Sequence, residues 1–433
     1  MLSALFISLG LIIAGGAPVA AAPVNGHWEG VMQRGSSQLA IGIDFDEKRN
    51  KGFFSAPDLG ALDIPLSSLQ LQPSLHWELV GDSTTTVFDA SVQGNVMRGT
   101  FRENGSSGNV LLHRVSTSTV KPFVLEPIAF SNGDVRLAGT LYVPIGGGKH
   151  PAVVLVHGSG PEGRWATAYI ADYLARHGII ALSYDKRGVG ASTGDWRTAS
   201  MQDLIADARA AVYAVSVRTD VDRRRVGVYG HSQGGEIAPA IALKNPEVKW
   251  IVAADGPIGP QYRQDLFRVN TALEQRYSGA ELAQAKKVYA EFVDSARNGT
   301  SHEQLRADMK TYASSPWLAD LAIPDDDNWI WAWYRRVGNY DNSAAWASVS
   351  IPVLILFGAN DRLVPPQASI AQTARILKAH GNRNVWVLVF PGADHTLRVP
   401  PVSSDGWPHN ALGFLSTLAK FAQSLRLNSP PSR

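Results

Sequence analysis

Val226-Gly227-Val228-Tyr229-Gly230-His231-Ser232-Gln233-Gly234-Gly235-Glu236-Ile237-Ala238 passes from a short apolar run through a glycine-flanked serine into a helix-forming segment. It reads as strand, sharp turn, helix. A serine at such a turn takes a strained backbone conformation, and Gly230 and Gly234 leave the room that side chains there would fill. The turn lifts the Ser232 hydroxyl clear of the strand ends. It also aims the N–H of Gln233, at a helix N-terminus, toward a place where a carbonyl oxygen would become negative. The pattern G-x-S-x-G carries little by itself, so its context decides. Gly190-Ala191-Ser192-Thr193-Gly194 fits it too, but follows the charged turn Asp185-Lys186-Arg187-Gly188 and opens no helix on its serine. Ser192 is therefore read as a loop residue and Ser232 as the candidate nucleophile.

Outward from this elbow, apolar runs of the kind buried on both faces of a parallel sheet recur at Ala152-Val153-Val154-Leu155-Val156, Ile179-Ile180-Ala181-Leu182 and Trp250-Ile251-Val252-Ala253-Ala254. They recur again at Val353-Leu354-Ile355-Leu356-Phe357 and Val385-Trp386-Val387-Leu388-Val389-Phe390. Helical patterns at 168–177, 200–217 and 411–425 alternate with them, and two antiparallel strands joined at Asn132-Gly133 precede them. The fold class this predicts is α/β, a doubly wound, mostly parallel sheet. Residues 257–347 interrupt it with helical patterns at 263–276 and 279–297 and no strand, so they are read as an inserted helical cap. The cap carries Trp329-Ile330-Trp331-Ala332-Trp333-Tyr334. Trp329, Trp331 and Trp333 are candidates for a substrate pocket or for fastening the cap, since alternate positions on a helix cannot all face one way.

From about residue 24 to 114 the pattern changes to short alternating runs between turn residues, such as Leu39-Ala40-Ile41-Gly42-Ile43 and Leu75-His76-Trp77-Glu78-Leu79-Val80. These predict a small all-β domain over 23–118. Its opening Gly26-His27-Trp28-Glu29-Gly30 resembles the first-strand G-x-W-x-G of lipocalin-like barrels. It is read as a packing and docking module rather than a ligand site, because small barrels are commonly filled by their own side chains. The polar stretch 116–122 marks the boundary to a hydrolytic domain over 119–433. Residues 1–22, with an apolar core at Leu5–Ile13 followed by Gly15-Gly16, Pro18 and the small residues Ala20-Ala21-Ala22, resemble a secretory signal peptide and predict export to the periplasm or medium of a bacterium.

At 433 residues, 45% hydrophobic and 18% charged, the chain is long enough for two or three domains. Its formal net charge of +2, without a basic block, gives no argument for nucleic acid, and the N-terminal apolar core is too short for a stable membrane span. The absence of cysteine excludes disulfides and thiol nucleophiles. No metal or cofactor is implied, and a homo-oligomer is left open.

A serine hydroxyl needs a base. Of the 11 histidines, His395 in Pro391-Gly392-Ala393-Asp394-His395-Thr396 directly follows the last strand and is able to hang over the sheet edge. His231 adjoins the serine on backbone that should direct it away. The imidazole needs a carboxylate to hold its tautomer and stabilise its charge. Asp361, in Gly358-Ala359-Asn360-Asp361, is the candidate, and Asp255 at the end of the preceding strand is its rival. Asp394 is too close in sequence to fold back onto the ring. A second oxyanion donor is expected from His157-Gly158-Ser159-Gly160-Pro161, with the N–H of Ser159 joining that of Gln233.

In this order, the glycine-rich turn at 157–161, Asp185-Lys186-Arg187-Gly188, the elbow, Asp361 and His395 resemble the α/β-hydrolase superfamily. The chain is most similar to EstD-like bacterial carboxylesterases, which carry a β-rich module before the hydrolase domain. The resemblance implies Ser232, Asp361 and His395 as a triad and a structural role for the turn at 185–188. Pro239, which should kink the helix behind the elbow, departs from it. The function expected is hydrolysis of small to medium acyl esters through an acyl-enzyme. The alternatives are a prolyl-oligopeptidase-like serine peptidase, or a binding protein with a vestigial hydrolase domain.

Overall fold

A computed structural model describes residues 23–424, apart from 73, 81–83, 116–120, 244, 402 and 404–405. The signal-peptide reading of 1–22 and most of the proposed boundary at 116–122 lie outside the described residues. Nine antiparallel strands between Gly26 and Val115 form one sheet. The strands at the two ends of its spatial order, Ala61–Pro65 and Ser67–Gln70, are consecutive in the chain, so the sheet curls nearly closed. Alternation puts Trp28, Ile43, Trp77, Phe88, Met97, Phe101 and Leu112 inside, each fully buried. Trp77 and Phe88 stack with ring centroids 5.0 Å apart. A Cβ on Gly30 would come 2.0 Å from the Leu111 carbonyl oxygen, which explains a glycine two residues after Trp28.

The second sheet has eight strands: β1 (Phe123–Asn132), β2 (Val135–Pro144), β3 (His150–Val156), β4 (Ile180–Tyr184), β5 (Val221–His231), β6 (Trp250–Ala254), β7 (Val353–Gly358) and β8 (Val385–Phe390). Their spatial order is β1-β2-β4-β3-β5-β6-β7-β8. The β1–β2 and β2–β4 pairs are antiparallel and the rest parallel. Helices α1 (Ala168–Arg176) and α2 (Met201–Ser216) lie between β3, β4 and β5 in the chain, and α3 (Gln233–Ala242) follows β5. A capping box fixes the start of α2, where Ser200 accepts from the Asp203 N–H and Asp203 reaches back to Ser200. The helix α3 runs unbroken through Pro239, and Arg209 donates to the carbonyls of Ala240 and Leu243 at its end.

Between β6 and β7 the chain leaves the sheet for α4 (Gln261–Glu274), α5 (Gly279–Asn298), α6 (His302–Thr311), α7 (Pro316–Asp320), α8 (Trp329–Val337) and α9 (Ser343–Ala347). The cap has its own core around Phe292, Val293, Leu305 and Trp317. Two helices, α10 (Pro366–Ala379) and α11 (Phe414–Ser424), complete the domain. The strand β8 closes one edge of the sheet, and its Trp386, Val387, Leu388 and Val389 are exposed. Among the described residues, no helix is long and apolar enough to cross a membrane.

The two sheets meet beside the loop that follows β8. Arg398–Val399 pairs with His409–Asn410, and Trp407, two residues before the second of them, packs half-buried against the apolar core of the β domain. There the Arg34 guanidinium lies 4.5 Å above the Trp407 ring and donates to the Gly406 carbonyl at 2.9 Å.

Candidate active site

Ser232 sits at φ 52°, ψ −116°, in a region that non-glycine residues occupy only when their surroundings force them. Its N–H is held by the Ala254 carbonyl at 2.9 Å. A Cβ on Gly230 would stand 2.2 Å from the Gly234 carbonyl oxygen, and one on Gly234 would stand 2.3 Å from that of Val156. Both glycines are therefore required by close backbone approach, and together they let α3 start directly behind the serine.

The loop after β8 brings His395 over the elbow. Its Nε2 lies 3.0 Å from Ser232 Oγ, and its Nδ1 lies 2.8 Å from Asp361 Oδ2. With Nδ1–H donating to the carboxylate, Nε2 is left to accept the serine proton. The other oxygen of Asp361 accepts from the N–H groups of Leu363 and Val364 at 2.8 and 2.9 Å. Both carboxylate oxygens are thus committed to hydrogen bonds. Asp394 does not reach the ring; it accepts from the Thr396 and Arg398 N–H groups and shapes the loop.

Asp255, the rival acid, is fully buried at the end of β6 and accepts from the Gly358 N–H at 2.9 Å. Burial first, and then the neighbouring Asp361 charge, push its pKa far above the carboxylate range. Polar atoms of Asp255, Asp361 and His395 lie within 4.8 Å of one another. Within that set both ring nitrogens of His395 and both oxygens of Asp361 are engaged, with each other, with Ser232 and with backbone N–H groups, while Asp255 Oδ2 is buried without a partner.

Three contributors were not legible in the sequence. His231 is not turned away: its Nε2 lies 2.8 Å from the His395 carbonyl oxygen and steadies the loop from below. Burial, and then the charge of His395, lower its pKa to about 4, so it donates as a neutral ring. Lys186 is buried, and its ammonium donates to the carbonyls of Gly158 and Gly160 and, at 3.4 Å, to Gln233 Oε1. One side chain thus ties the turn after β3 to the start of α3, the two segments that carry Ser159 and Gln233. Burial lowers its pKa to about 8. Glu162 accepts from the Gly158 N–H at 2.7 Å, leaving the next amide, that of Ser159, at the cavity wall.

Ser192 is buried on the far side of this turn. Its hydroxyl donates to the Asp185 carbonyl at 2.8 Å and accepts from the Ala138 N–H at 3.0 Å. His157 is buried against Tyr184, and burial keeps it neutral. The DKRG turn itself is held by the Asp185–Arg164 and Arg187–Asp207 pairs, each at 2.7 Å.

A cavity of about 590 Å³ opens over Ser232 and runs under the cap, bordered by Ser159, Gln233 and His395. Trp329 and Trp333, one turn apart on α8, line it together with Trp196, whose ring centroid is 5.3 Å from that of Trp329. The assignment of Trp331 to the pocket is corrected. It faces the opposite way on α8, is buried in the cap core edge-on to Phe292, and donates from Nε1 to the Asp325 carbonyl. The helical period of 3.6 residues permits 329 and 333 on one face and excludes 331 from it.

The serine elbow, the imidazole and the buried carboxylate at one rim of a mostly parallel sheet define a serine hydrolase of the α/β-hydrolase fold. The profile of the Hydrolase_4 family, described as serine aminopeptidase S33, matches residues 148–399, and the chain belongs to that family. Esterase EstD of Thermotoga maritima is 28% identical over 308 residues, covering 68% of this chain and 67% of that protein. An uncharacterized protein of Mycobacterium tuberculosis is 34% identical over 131 residues, 30% of this chain and 45% of its own length. Among solved structures, a Pyrococcus furiosus esterase is similar at 21% identity and a TM-score of 0.44, covering 65% of this chain and 88% of its own. A proline iminopeptidase of Mycobacterium smegmatis is similar at 17% identity and a TM-score of 0.45, covering 69% and 98%.

Proposed function

We propose that the protein is a carboxylic ester hydrolase that acts on small to medium acyl esters through an acyl-enzyme. The observation that carries this is the unbroken hydrogen-bond path from Ser232 Oγ to His395 Nε2, 3.0 Å, and from His395 Nδ1 to Asp361, 2.8 Å. Ser232 attacks the ester carbonyl as His395 takes its proton. Asp361 holds the tautomer and stabilises the imidazolium. The N–H groups of Ser159 and Gln233 receive the oxyanion, His395 returns its proton to the departing alkoxide, and water then releases the acid by the same steps. Similarity to Esterase EstD supports ester substrates, and the cavity size suits a small ester. The β domain is proposed as a lipocalin-like barrel that serves packing, since its interior is filled by aromatic rings. An exported, periplasmic or secreted location remains the proposal made from residues 1–22.

The test is a series of p-nitrophenyl esters of rising acyl length beside aminoacyl and peptidyl anilides, run on the wild type and Ser232→Ala. Loss of kcat on the order of 10⁶ is expected for the variant. Ester turnover that survives it sinks the mechanism, and a preference for anilides moves the reading to a peptidase.

A further inference from the structure

The loop that brings His395 over Ser232 is tied to the hydrolase domain at the imidazole, through Asp361, and at the His395 carbonyl, through His231. Beyond that point its backbone is strained. Leu397 is 1% exposed at φ 56°, a conformation that a bulky side chain adopts only where its surroundings impose it. Asp394 N–H donates to the Arg398 carbonyl at 2.8 Å, and Ala411 N–H donates to that of Leu397 at 2.8 Å. The loop therefore closes through the hairpin of Arg398–Val399 and His409–Asn410, which begins three residues after His395. Two paired residues on each arm make a ladder too short to stand by itself. Whatever it rests on fixes the loop.

It rests on the β domain. Asn410 abuts the turn at Gly60, where a Cβ would come 2.7 Å from Asn410 Nδ2. Farther out, Trp407 lies under the Arg34 guanidinium, with its ring centroid 6.1 Å from that of Phe101. Arg34 is anchored in turn: its Nη1 donates to Glu103 at 3.0 Å, and Glu103 accepts from Thr86 Oγ1 at 2.8 Å. Its Nη2 donates to the Gly406 carbonyl at 2.9 Å, so one planar fork grips both a ring and the backbone of the hairpin connection. Joining the two domains does not require this. They already meet where Leu62 of the β domain packs against the hydrolase core beside Tyr169. A hairpin turn needs about two to five residues, whereas residues 400–408 make a longer excursion that ends on Arg34.

We propose that the β domain acts on catalysis as a positioning element. Arg34 and Trp407 clamp the hairpin that carries the His395 loop, and the imidazole keeps its place between Ser232 and Asp361 while that clamp is closed. This gives the β domain a part in the reaction beyond packing. It depends on the triad geometry and not on the class of acyl substrate.

The test removes the clamp and follows two rates, kcat on p-nitrophenyl butyrate and the rate constant for labelling of Ser232 by a fluorophosphonate, with Tm as the measure of folding. Trp407→Ala is expected to lower both rates together, on the order of 10- to 100-fold, because a displaced base is felt in the transition state, while KM stays within about twofold. Trp407→Phe, which returns a ring to Arg34, should recover most of the loss. Arg34→Met should lower the same two rates, and the double variant should be no slower than Trp407→Ala alone, since both changes open one contact. Wild-type rates in Trp407→Ala overturn the proposal, as do losses that multiply in the double variant or a change confined to Tm. Where Trp407→Ala yields no folded protein, Arg34→Lys decides: it keeps the charge but not the planar fork, and wild-type rates in it overturn the proposal. Labelling needs no ester, so failure of the ester reading appears separately, as wild-type protein that is labelled but does not turn over the ester.

Discussion

The interior of the β domain and the catalytic rim of the hydrolase domain are built on opposite principles. In the β domain, alternation fills the interior with Trp28, Trp77, Phe88 and Phe101, and among the described residues Trp77 Nε1 is its one buried side-chain polar atom without a partner. The rim holds Ser232 in a strained conformation and buries Asp255, Lys186 and the unpartnered Glu236 and His157 within a few residues of the strand ends. A region selected only to fold satisfies its polar groups. A region selected to react keeps charges and strain that the packed body around it must hold in place.

That contrast is broken most severely at Lys186, apart from the triad itself. Lys186→Met should lower kcat on the order of 10²- to 10³-fold with little change in KM, because the turn carrying Ser159 loses its tie to Gln233. Lys186→Arg should restore part of the loss. As pH rises through about 8 the ammonium loses its proton, so activity of the wild type should fall on that side. A kcat in Lys186→Met equal to that of the wild type would remove the tie from the mechanism.

Within the β domain the same size of change should act on stability alone. Trp77→Ala should cost about 3–5 kcal/mol of unfolding free energy, read by urea denaturation, while kcat per folded molecule is unchanged. A matching loss in kcat would show that the Trp407 contact transmits strain to the loop that bears His395.

Glu236 supplies a pH signature at the rim. Its folded pKa, about 8, lies above its unfolded value because of burial, so the fold is least penalised by this group at acid pH and loses stability as pH rises from the unfolded value to about 8. Urea midpoints measured from pH 5 to 9 should fall more steeply for the wild type than for Glu236→Gln. Equal slopes would show that the carboxyl is solvated. The smallest effect should come from Trp329→Ala: 40% exposed, it should cost under about 1 kcal/mol of stability and shift acyl-length preference through KM. The same change at buried Trp331 should do the reverse.

The alternation of buried strands and helices, the insertion after β6 and the candidate side chains at the ends of β5, β7 and β8 were legible because each is local. A glycine-flanked serine, a turn after an apolar run and a long gap between strands leave their mark within a few neighbouring residues. Tertiary structure alone decided between Asp361 and Asp255, turned His231 into a prop for His395, and recruited Lys186 from a turn that reads as structural. It also separated Trp331 from Trp329 and Trp333 and left the apolar strand β8 at an open edge. The reason is physical: the proton a buried acid or base holds, and the face a ring presents, depend on burial and charges contributed by segments far apart in the chain. No window of sequence contains their sum.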